Sequence, residues 1–248
     1  MKIDPDLCIV CEACLPYCPM EAISIKDDMA VIDDDECVEC NVCLKSGVCP
    51  VDAFVFEMPP WPRSVRHAFS DPRTEHKETK IAGRGTEEMK TNDVTGRFQR
   101  GWIGMGCEFG RPGIGTRFRD VDKVSQVLAK HGVEFEAKNP VTFLMEDPKT
   151  GKIREDVLNE KVLSGIIECL FPIEKFEEIM SALKEVAREA VRRKSGARGL
   201  RAILENVMLD IMYDIPSERN IRECIISEEV IQNKESPIIL YESEAEVA

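Results

Sequence analysis

Eight cysteines near the start of the chain restrict its possible folds more than any other feature. The chain has 248 residues and 11 cysteines, and eight of these lie between Cys8 and Cys49. One group, CIVCEACLPYCP, begins at Cys8, and a second group, CVECNVCLKSGVCP, begins at Cys37. Each group has three cysteines separated by two residues, followed by a fourth that precedes a proline. Such dense cysteines in a chain without a signal peptide indicate metal or cluster ligands rather than disulfides.

The two groups are copies of one longer unit. IDPDLC ends at Cys8 and IDDDEC ends at Cys37, so the flanks repeat together with the cysteines. After the fourth cysteines, CPMEAISI parallels CPVDAFVF. Internal repetition of this kind predicts two similar half-domains related by a pseudo-twofold axis.

Over residues 1–58 these motifs resemble the bacterial two-cluster [4Fe-4S] ferredoxins. In that spacing the fourth cysteine of each group ligates the cluster of the other group. The ligand sets that the resemblance implies are Cys8, Cys11, Cys14 and Cys49 for one cluster, and Cys37, Cys40, Cys43 and Cys18 for the second. The chain departs from the pattern between Cys43 and Cys49, where five residues, LKSGV, replace the three of the first group. Gly47 would allow this longer loop to bulge outward.

Two other interpretations of the cysteines remain open at this point. Sets of four cysteines also bind zinc, although zinc sites lack the third evenly spaced cysteine and the terminal Cys-Pro. Alternatively, the clusters are present but have only a structural role.

The segment 59–95 is predicted to be an extended linker. It is rich in proline and charged residues and shows no apolar periodicity. His67 and His76 lie within it and are interpreted as solvent-exposed residues without a ligand role.

A second domain is predicted over residues 96–190. GWIGMGCEFG favours a strand, VDKVSQVLAKHG favours a helix that ends at Gly132, VEFEAKNPVTFLM favours further extended segments, and VLSGIIECLFP favours another strand. FEEIMSALKEVAREAVRRK is typical of a long amphipathic helix. The order β-α-β-β-α predicts an α/β-sandwich-like domain with a split β-α-β layout that lacks its final strand.

Segment 106–119 of this domain is a candidate site for a small anionic ligand. Its glycines and arginines are Gly106, Gly110, Gly113, Gly115, Arg111, Arg117 and Arg119. A glycine-rich turn beside guanidinium groups can hold a phosphate or a carboxylate. The alternative is a glycine-rich hairpin with surface arginines. Cys107 and Cys169 lie in predicted strands and are interpreted as small buried apolar residues.

Residues 191–248 are predicted to form a small helix-plus-strand module. LRAILENVMLDIMYDI favours a helix that stops before Pro216, while NIRECIISEEVI and SPIILYES favour strands. The stretch KSGARGLRAILENVMLDIMYDIPS resembles the C-terminal small domain, or lid, of ClpX-type AAA+ unfoldases over residues 184–241. Three explanations of this tail are open: a natural fusion, a chimera, or a remnant that only caps the preceding domain, and a fusion or chimera is favoured. The resemblance implies that Arg198 corresponds to the arginine that contacts nucleotide. The chain has no G-x-x-x-x-G-K-[ST] motif, so we do not expect ATPase activity.

The charge and hydropathy of the chain exclude several classes of partner. With 33 Lys and Arg against 46 Asp and Glu, the net charge is -13, which disfavours nucleic acid. No apolar run approaches the roughly 20 residues that a membrane-spanning helix needs. We therefore expect a cytoplasmic protein without membrane or nucleic-acid contacts.

Together these patterns predict an α+β protein that carries two [4Fe-4S] clusters and exchanges electrons with a redox partner protein. An electron carrier is favoured over an enzyme. One alternative is an iron–sulfur enzyme or subunit whose middle domain binds an anionic substrate. Another is an interaction module that associates with an AAA+ unfoldase through the tail.

Overall fold

The computed structural model describes residues 1–77, 80, 100–110, 115–192, 221–225 and 238–241. The chain divides into two compact units, Met1–Leu183 and Lys184–Ala248. Helices and strands are mixed throughout the described residues, in agreement with the predicted α+β class. The finer domain boundaries predicted at residues 58, 95 and 190 stay predictions.

The cysteine-rich start of the chain forms two antiparallel strand pairs and one short helix. Their bounds are β1 Lys2–Ile3, β2 Ile23–Lys26, β3 Met29–Ile32, β4 Phe54–Val55 and α1 Val42–Lys45. Strand β1 pairs with β4, and β2 pairs with β3. Ile3 therefore lies opposite Phe54, just as Ile32 lies opposite Ile23.

Hydrogen bonds repeat between the two halves of this region. The N–H of Asp4 donates to the carbonyl of Ala53 at 2.8 Å, and the N–H of Asp33 donates to the carbonyl of Ala22 at 2.7 Å. Asp4 and Asp33 occupy equivalent positions in the two copies of the sequence repeat. Equivalent positions of the sequence repeat thus make equivalent backbone hydrogen bonds.

A helix, α2 Ser64–Ser70, occupies part of the segment expected to be extended. Val65 and Phe69, one turn apart, are buried in the core of the first unit. The prediction of an extended linker is wrong here because these apolar side chains bury one face of a helical turn. His67 and His76 are also buried, at 6% and 8% exposure, so their assignment to solvent is wrong. Residues 78, 79 and 81–99 lie outside the described residues.

A three-stranded sheet lies at the centre of the rest of the first unit. Its strands are β5 Trp102–Phe109, β7 Glu134–Phe135 and β11 Gly165–Pro172, in the order β5-β11-β7. Strand β11 is antiparallel to both neighbours. Helix α3 Phe118–Lys130 lies between β5 and β7 in the chain. Gly132 follows its C-cap, His131, and has a φ of 68°, which fits the predicted helix stop.

Short elements surround this sheet. They are β6 Thr116–Arg117, α4 Pro140–Phe143, β8 Met145–Asp147, β9 Lys152–Ile153 and β10 Lys161–Val162. Helix α4 lies where we expected extended chain. Asn139 caps it by accepting a hydrogen bond of 2.8 Å from the N–H of Val141, and Pro140 suits the first helical position.

The core of the first unit is built from α2, α3, β11 and the start of α5 Phe176–Arg192. Phe118, Phe171 and Ile179 are fully buried within it. Cys169 is also fully buried, as predicted, while Cys107 is partly buried. Burial raises the pKa of the Cys107 thiol to about 12 and also raises that of Cys169, so both behave as neutral apolar groups.

In the second unit, β12 Ile221–Ile225 pairs antiparallel with β13 Ile238–Tyr241. Both strands lie in the segments predicted to be extended. The helix predicted before Pro216, together with Arg198, lies outside the described residues. Across the described part of the chain, no helix combines the length and apolar character needed to span a membrane.

Candidate metal centre

Two cavities in the cysteine-rich start of the chain are each lined by four cysteines. Cys8, Cys11, Cys14 and Cys49 line the first cavity. Cys18, Cys37, Cys40 and Cys43 line the second cavity. Each encloses about 360 Å³, including the part open to solvent. The structure therefore brings together the two sets named from the sequence, with the fourth cysteine of each group in the cavity of the other.

The first three cysteines of each group lie on a loop with a repeated backbone conformation. Val10 and Glu12 have φ values of 55° and 60°, and the equivalent residues Glu39 and Asn41 have values of 56° and 59°. Left-handed residues that alternate with right-handed ones curve the chain and turn successive N–H groups inward. Such backbone concavities suit anionic groups, including iron–sulfur clusters.

The fourth cysteine of each group is held by a second repeated turn. The N–H of Ala22 donates to Sγ of Cys18 at 3.2 Å, and the N–H of Ala53 donates to Sγ of Cys49 at 3.2 Å. Each turn contains the proline that follows the cysteine. Hydrogen bonds to ligand sulfur favour the thiolate form and tune the potential of a bound cluster.

Electrostatics follows the same grouping of the cysteines. Burial raises the pKa of Cys40 to about 11, with further repulsion from Cys37 and Cys18. Burial likewise raises the pKa of Cys14, to which Cys49 contributes repulsion. Charge repulsion from Cys18 thus reaches a thiol of the second set, and charge repulsion from Cys49 reaches a thiol of the first set. Metal binding needs thiolates, so a cationic metal must offset the cost of ionising these buried thiols.

The donor sets fit a [4Fe-4S] cluster at each cavity. Four thiols are the ligand set of such a cluster, and backbone N–H groups point at two of the sulfurs. Among the described residues, no three Cys, His, Asp or Glu side chains are gathered in a way that could hold a single metal ion. The cysteines of each set line a cavity instead.

Helix α2 and the residues that flank it contact the wall of the second cavity through polar side chains. Nε of Arg63 donates to Glu39 at 2.8 Å, and Nδ1 of His67 lies 3.0 Å from the carbonyl oxygen of Glu39. Beyond the end of the helix, Asp71 accepts a hydrogen bond from Nδ2 of Asn41 at 3.3 Å. Glu39 and Asn41 line the cavity, so these contacts fix its wall.

Cations from β6 and β10 hold the loop before Cys37. Nη2 of Arg117 lies 2.6 Å from Asp35, and Lys161 pairs with Glu36. Leu163 packs in the same apolar cluster as Cys40. Arg117 is thus engaged by a carboxylate of the chain itself. The proposal of an anionic ligand at segment 106–119 has no support in this arrangement, and residues 111–114 lie outside the described part.

The residues that contact the wall of the second cavity and the loop before Cys37 could not be identified from the sequence. Arg63, His67 and Lys161 carry no motif, because their partners are distant in the chain. One signal was present. Val65 and Phe69 stand four positions apart, which is the spacing of a helical face.

Two family models match parts of the chain. Residues 1–24 match the 4Fe-4S binding domain, a range that contains the first cysteine group. The match supports an iron–sulfur protein. The second cysteine group lies outside this match, so the match does not show the number of clusters.

Residues 176–228 match the C-terminal, D2-small domain of ClpB protein. This match agrees with the predicted resemblance to an AAA+ C-terminal domain, but the ClpX type is not confirmed, and the matched range begins before the predicted residue 184. No solved structure matches the chain.

Proposed function

We propose that the chain is an electron-transfer protein that carries two [4Fe-4S] clusters. One cluster has Cys8, Cys11, Cys14 and Cys49 as ligands, and the second has Cys18, Cys37, Cys40 and Cys43. The observation that carries the proposal is the exchange of the fourth cysteines between two cavities of equal size. That exchange is the ligand pattern of bacterial two-cluster ferredoxins.

The protein would supply the cysteine ligands, hydrogen bonds to their sulfur atoms and a short link between the two sites. When bound, such clusters supply one-electron redox chemistry. The cysteines provide negative charge, and the N–H groups of Ala22 and Ala53 stabilise the sulfur of Cys18 and Cys49. Only a 3-10 turn, Leu15–Tyr17, separates Cys14 of the first set from Cys18 of the second. This short covalent link between the two sites favours electron exchange between them.

Metal analysis of anaerobically purified protein tests this proposal. Two cubanes require about eight irons and about eight sulfides per chain. EPR of the reduced protein should then show two interacting paramagnetic centres. Zinc in place of iron, or about four irons after reconstitution, would contradict the two-cluster assignment.

The alternative of a structural role is tested by the same sample. Protein with purely structural clusters should not accept and return electrons reversibly. We expect stepwise reduction by dithionite and reoxidation with the iron content unchanged. Loss of iron on each reduction cycle would favour the structural role.

A second candidate function concerns the tail, because residues 176–228 match the D2-small domain of ClpB protein. We propose that this segment associates with an AAA+ unfoldase and does not itself hydrolyse ATP. Purified ClpB is the direct probe: the chain should co-migrate with its hexamer in size-exclusion chromatography, and a chain truncated after residue 183 should not. ATP alone should leave the melting temperature of the chain unchanged, since a ligand stabilises only a fold that binds it.

A further inference from the structure

The two halves of the cysteine repeat differ sharply in exposure at equivalent positions. Ile9 is 61% exposed, whereas its equivalent Val38 is 1% exposed. Cys11 is exposed, whereas its equivalent Cys40 is buried. The two loops share left-handed φ values at equivalent residues, so the difference is not explained by the turns that carry these cysteines. It arises from what packs against them.

The second half is covered by the chain's own cations. Arg66 and Lys161 are buried, at 5% and 0% exposure, and Arg117 joins them against the loop. Two of the three have acidic partners on the loop: Asp35 pairs with Arg117 and Glu36 pairs with Lys161. Arg66 instead donates to backbone carbonyls of the loop. A redox partner cannot approach the second cavity through this face without unfolding these contacts.

The equivalent face of the first half is open and more apolar. Leu7, which corresponds to Glu36, is 48% exposed, and Ile9 beside it lines the first cavity. Asp6 and Glu12 lie on either side and are exposed. Within the described part of the chain, neither of these two carboxylates forms an ion pair with a described cation.

We propose that the face formed by Asp6, Leu7, Ile9, Cys11 and Glu12 is an electron port of the protein. This inference rests on the proposed function of the cysteines. Its occupant is a redox protein whose cofactor edge has an apolar centre and a Lys- or Arg-rich rim. The chain itself shows this chemistry, because Arg117 pairs with Asp35, the equivalent of Asp6, and Lys161 pairs with Glu36 beside it. Interfaces of this composition, with apolar cores and complementary charges, set the encounter rate of redox partners.

The port gives the electron path a direction. Electrons enter or leave at the site of Cys8, Cys11, Cys14 and Cys49, which is the only one of the two with an exposed cysteine. The site of Cys18, Cys37, Cys40 and Cys43 is reached through the first. Each transfer moves one electron from the reduced protein to the oxidised partner, and no bond or proton is exchanged.

Charge reversal at the port tests the inference. Cytochrome c, a basic haem protein, serves as a cationic one-electron acceptor, and hexacyanoferrate(III) serves as an anionic one. The reduced holoprotein is mixed with each acceptor in a stopped-flow instrument. Asp6→Lys is the main variant because Asp6 does not line the cavity. Glu12→Lys is the second variant, and Glu174→Lys, in the exposed turn just before α5, is the matched control.

We expect Asp6→Lys and Glu12→Lys to slow reduction of cytochrome c by about tenfold at low salt and to speed reduction of hexacyanoferrate(III). The difference from the wild type should shrink as ionic strength rises from about 0.01 M to about 1 M. Glu174→Lys should change neither rate by as much as twofold. If all three variants contain about eight irons and reduce both acceptors at the wild-type rate, the assignment of the port is wrong, while the proposed function is unaffected. A deficit of iron in the wild type would instead overturn the proposed function.

Discussion

Nη1 of Arg66 donates a hydrogen bond of 2.8 Å to the carbonyl oxygen of Cys37. The same atom also donates to the carbonyl of Asp34 at 2.9 Å, and Nε pairs with Glu160. Arg66 is only 5% exposed. Helix α2 thus holds the loop that carries the first cysteine of the second cavity, and it ties this loop to the segment that precedes β10.

Replacing Arg66 by Ala should be strongly destabilising. It leaves the partly buried carbonyl of Cys37 without its donor and Glu160 without its cation, and breaking a buried ion pair in this way costs about 3–5 kcal/mol. The measurement is the free energy of unfolding in urea, under anaerobic conditions. Lys123→Ala is the control, because Lys123 pairs with Asp120 on the surface and such pairs contribute at most about 1 kcal/mol. A loss as small as that of the control would show that Arg66 does not hold the loop.

Gly151 and Gly47 offer a matched test of backbone packing. Both have positive φ, at 68° and 64°. A Cβ at Gly151 would lie 2.2 Å from the carbonyl oxygen of Ser125, whereas a Cβ at Gly47 would meet nothing within 4 Å. Gly151→Ala should therefore cost clearly more than Gly47→Ala, which carries only the left-handed strain of about 1–2 kcal/mol. Equal melting temperatures of the two variants would contradict this packing.

Asp71 should contribute a pH-dependent share of the stability. Burial opposes its ionisation, but hydrogen bonds from Lys45 and from the N–H of Arg73 outweigh burial and lower the pKa of Asp71. His67 is the other titratable group beside it, at 3.7 Å. The ionised carboxylate then stabilises the fold at any pH above its unfolded pKa of about 3.9, and this share is lost as the pH falls through the lower folded pKa.

The comparison of wild type with Asp71→Asn measures this share. The difference in free energy of unfolding should be constant from about pH 7 to about pH 5 and should shrink below about pH 4. Acid damage to the clusters is common to both proteins and cancels in the difference. Asp120→Asn, a change at an exposed carboxylate, should show little effect. A difference that grows on acidification would mean that the pKa of Asp71 is raised instead.

The repeated strand pairs could be predicted from the sequence because the residues that specify them are close together in the chain. The short intervals between cysteines and the repeated IDPD and IDDD flanks lie within a few residues of the turns that they produce. Ile3 opposite Phe54 and Ile23 opposite Ile32 follow from the repeat once it is recognised. The grouping of the cysteines around two cavities follows from the same repeat.

The asymmetry of the two halves could not be predicted, because it depends on distant segments. Nothing near Val38 indicates that Arg66 and Leu163 will cover its loop. The proline and charge content of segment 59–95 also led to the prediction of an extended linker where α2 lies, although Val65 and Phe69 have helical spacing. At α4 the error was of another kind: Asn139 and Pro140 are a helix start signal that outweighed the extended character of their neighbours.

Iron analysis of two double variants tests the crossed arrangement most directly. In that arrangement Cys18 and Cys40 belong to one site, so Cys18→Ala with Cys40→Ala should remove one cluster and leave about four irons. Cys11 and Cys18 belong to different sites, so Cys11→Ala with Cys18→Ala should remove both clusters and leave almost no iron. The reverse result, with about four irons retained by Cys11→Ala with Cys18→Ala and almost none by Cys18→Ala with Cys40→Ala, would contradict the account, because each group would then ligate its own cluster.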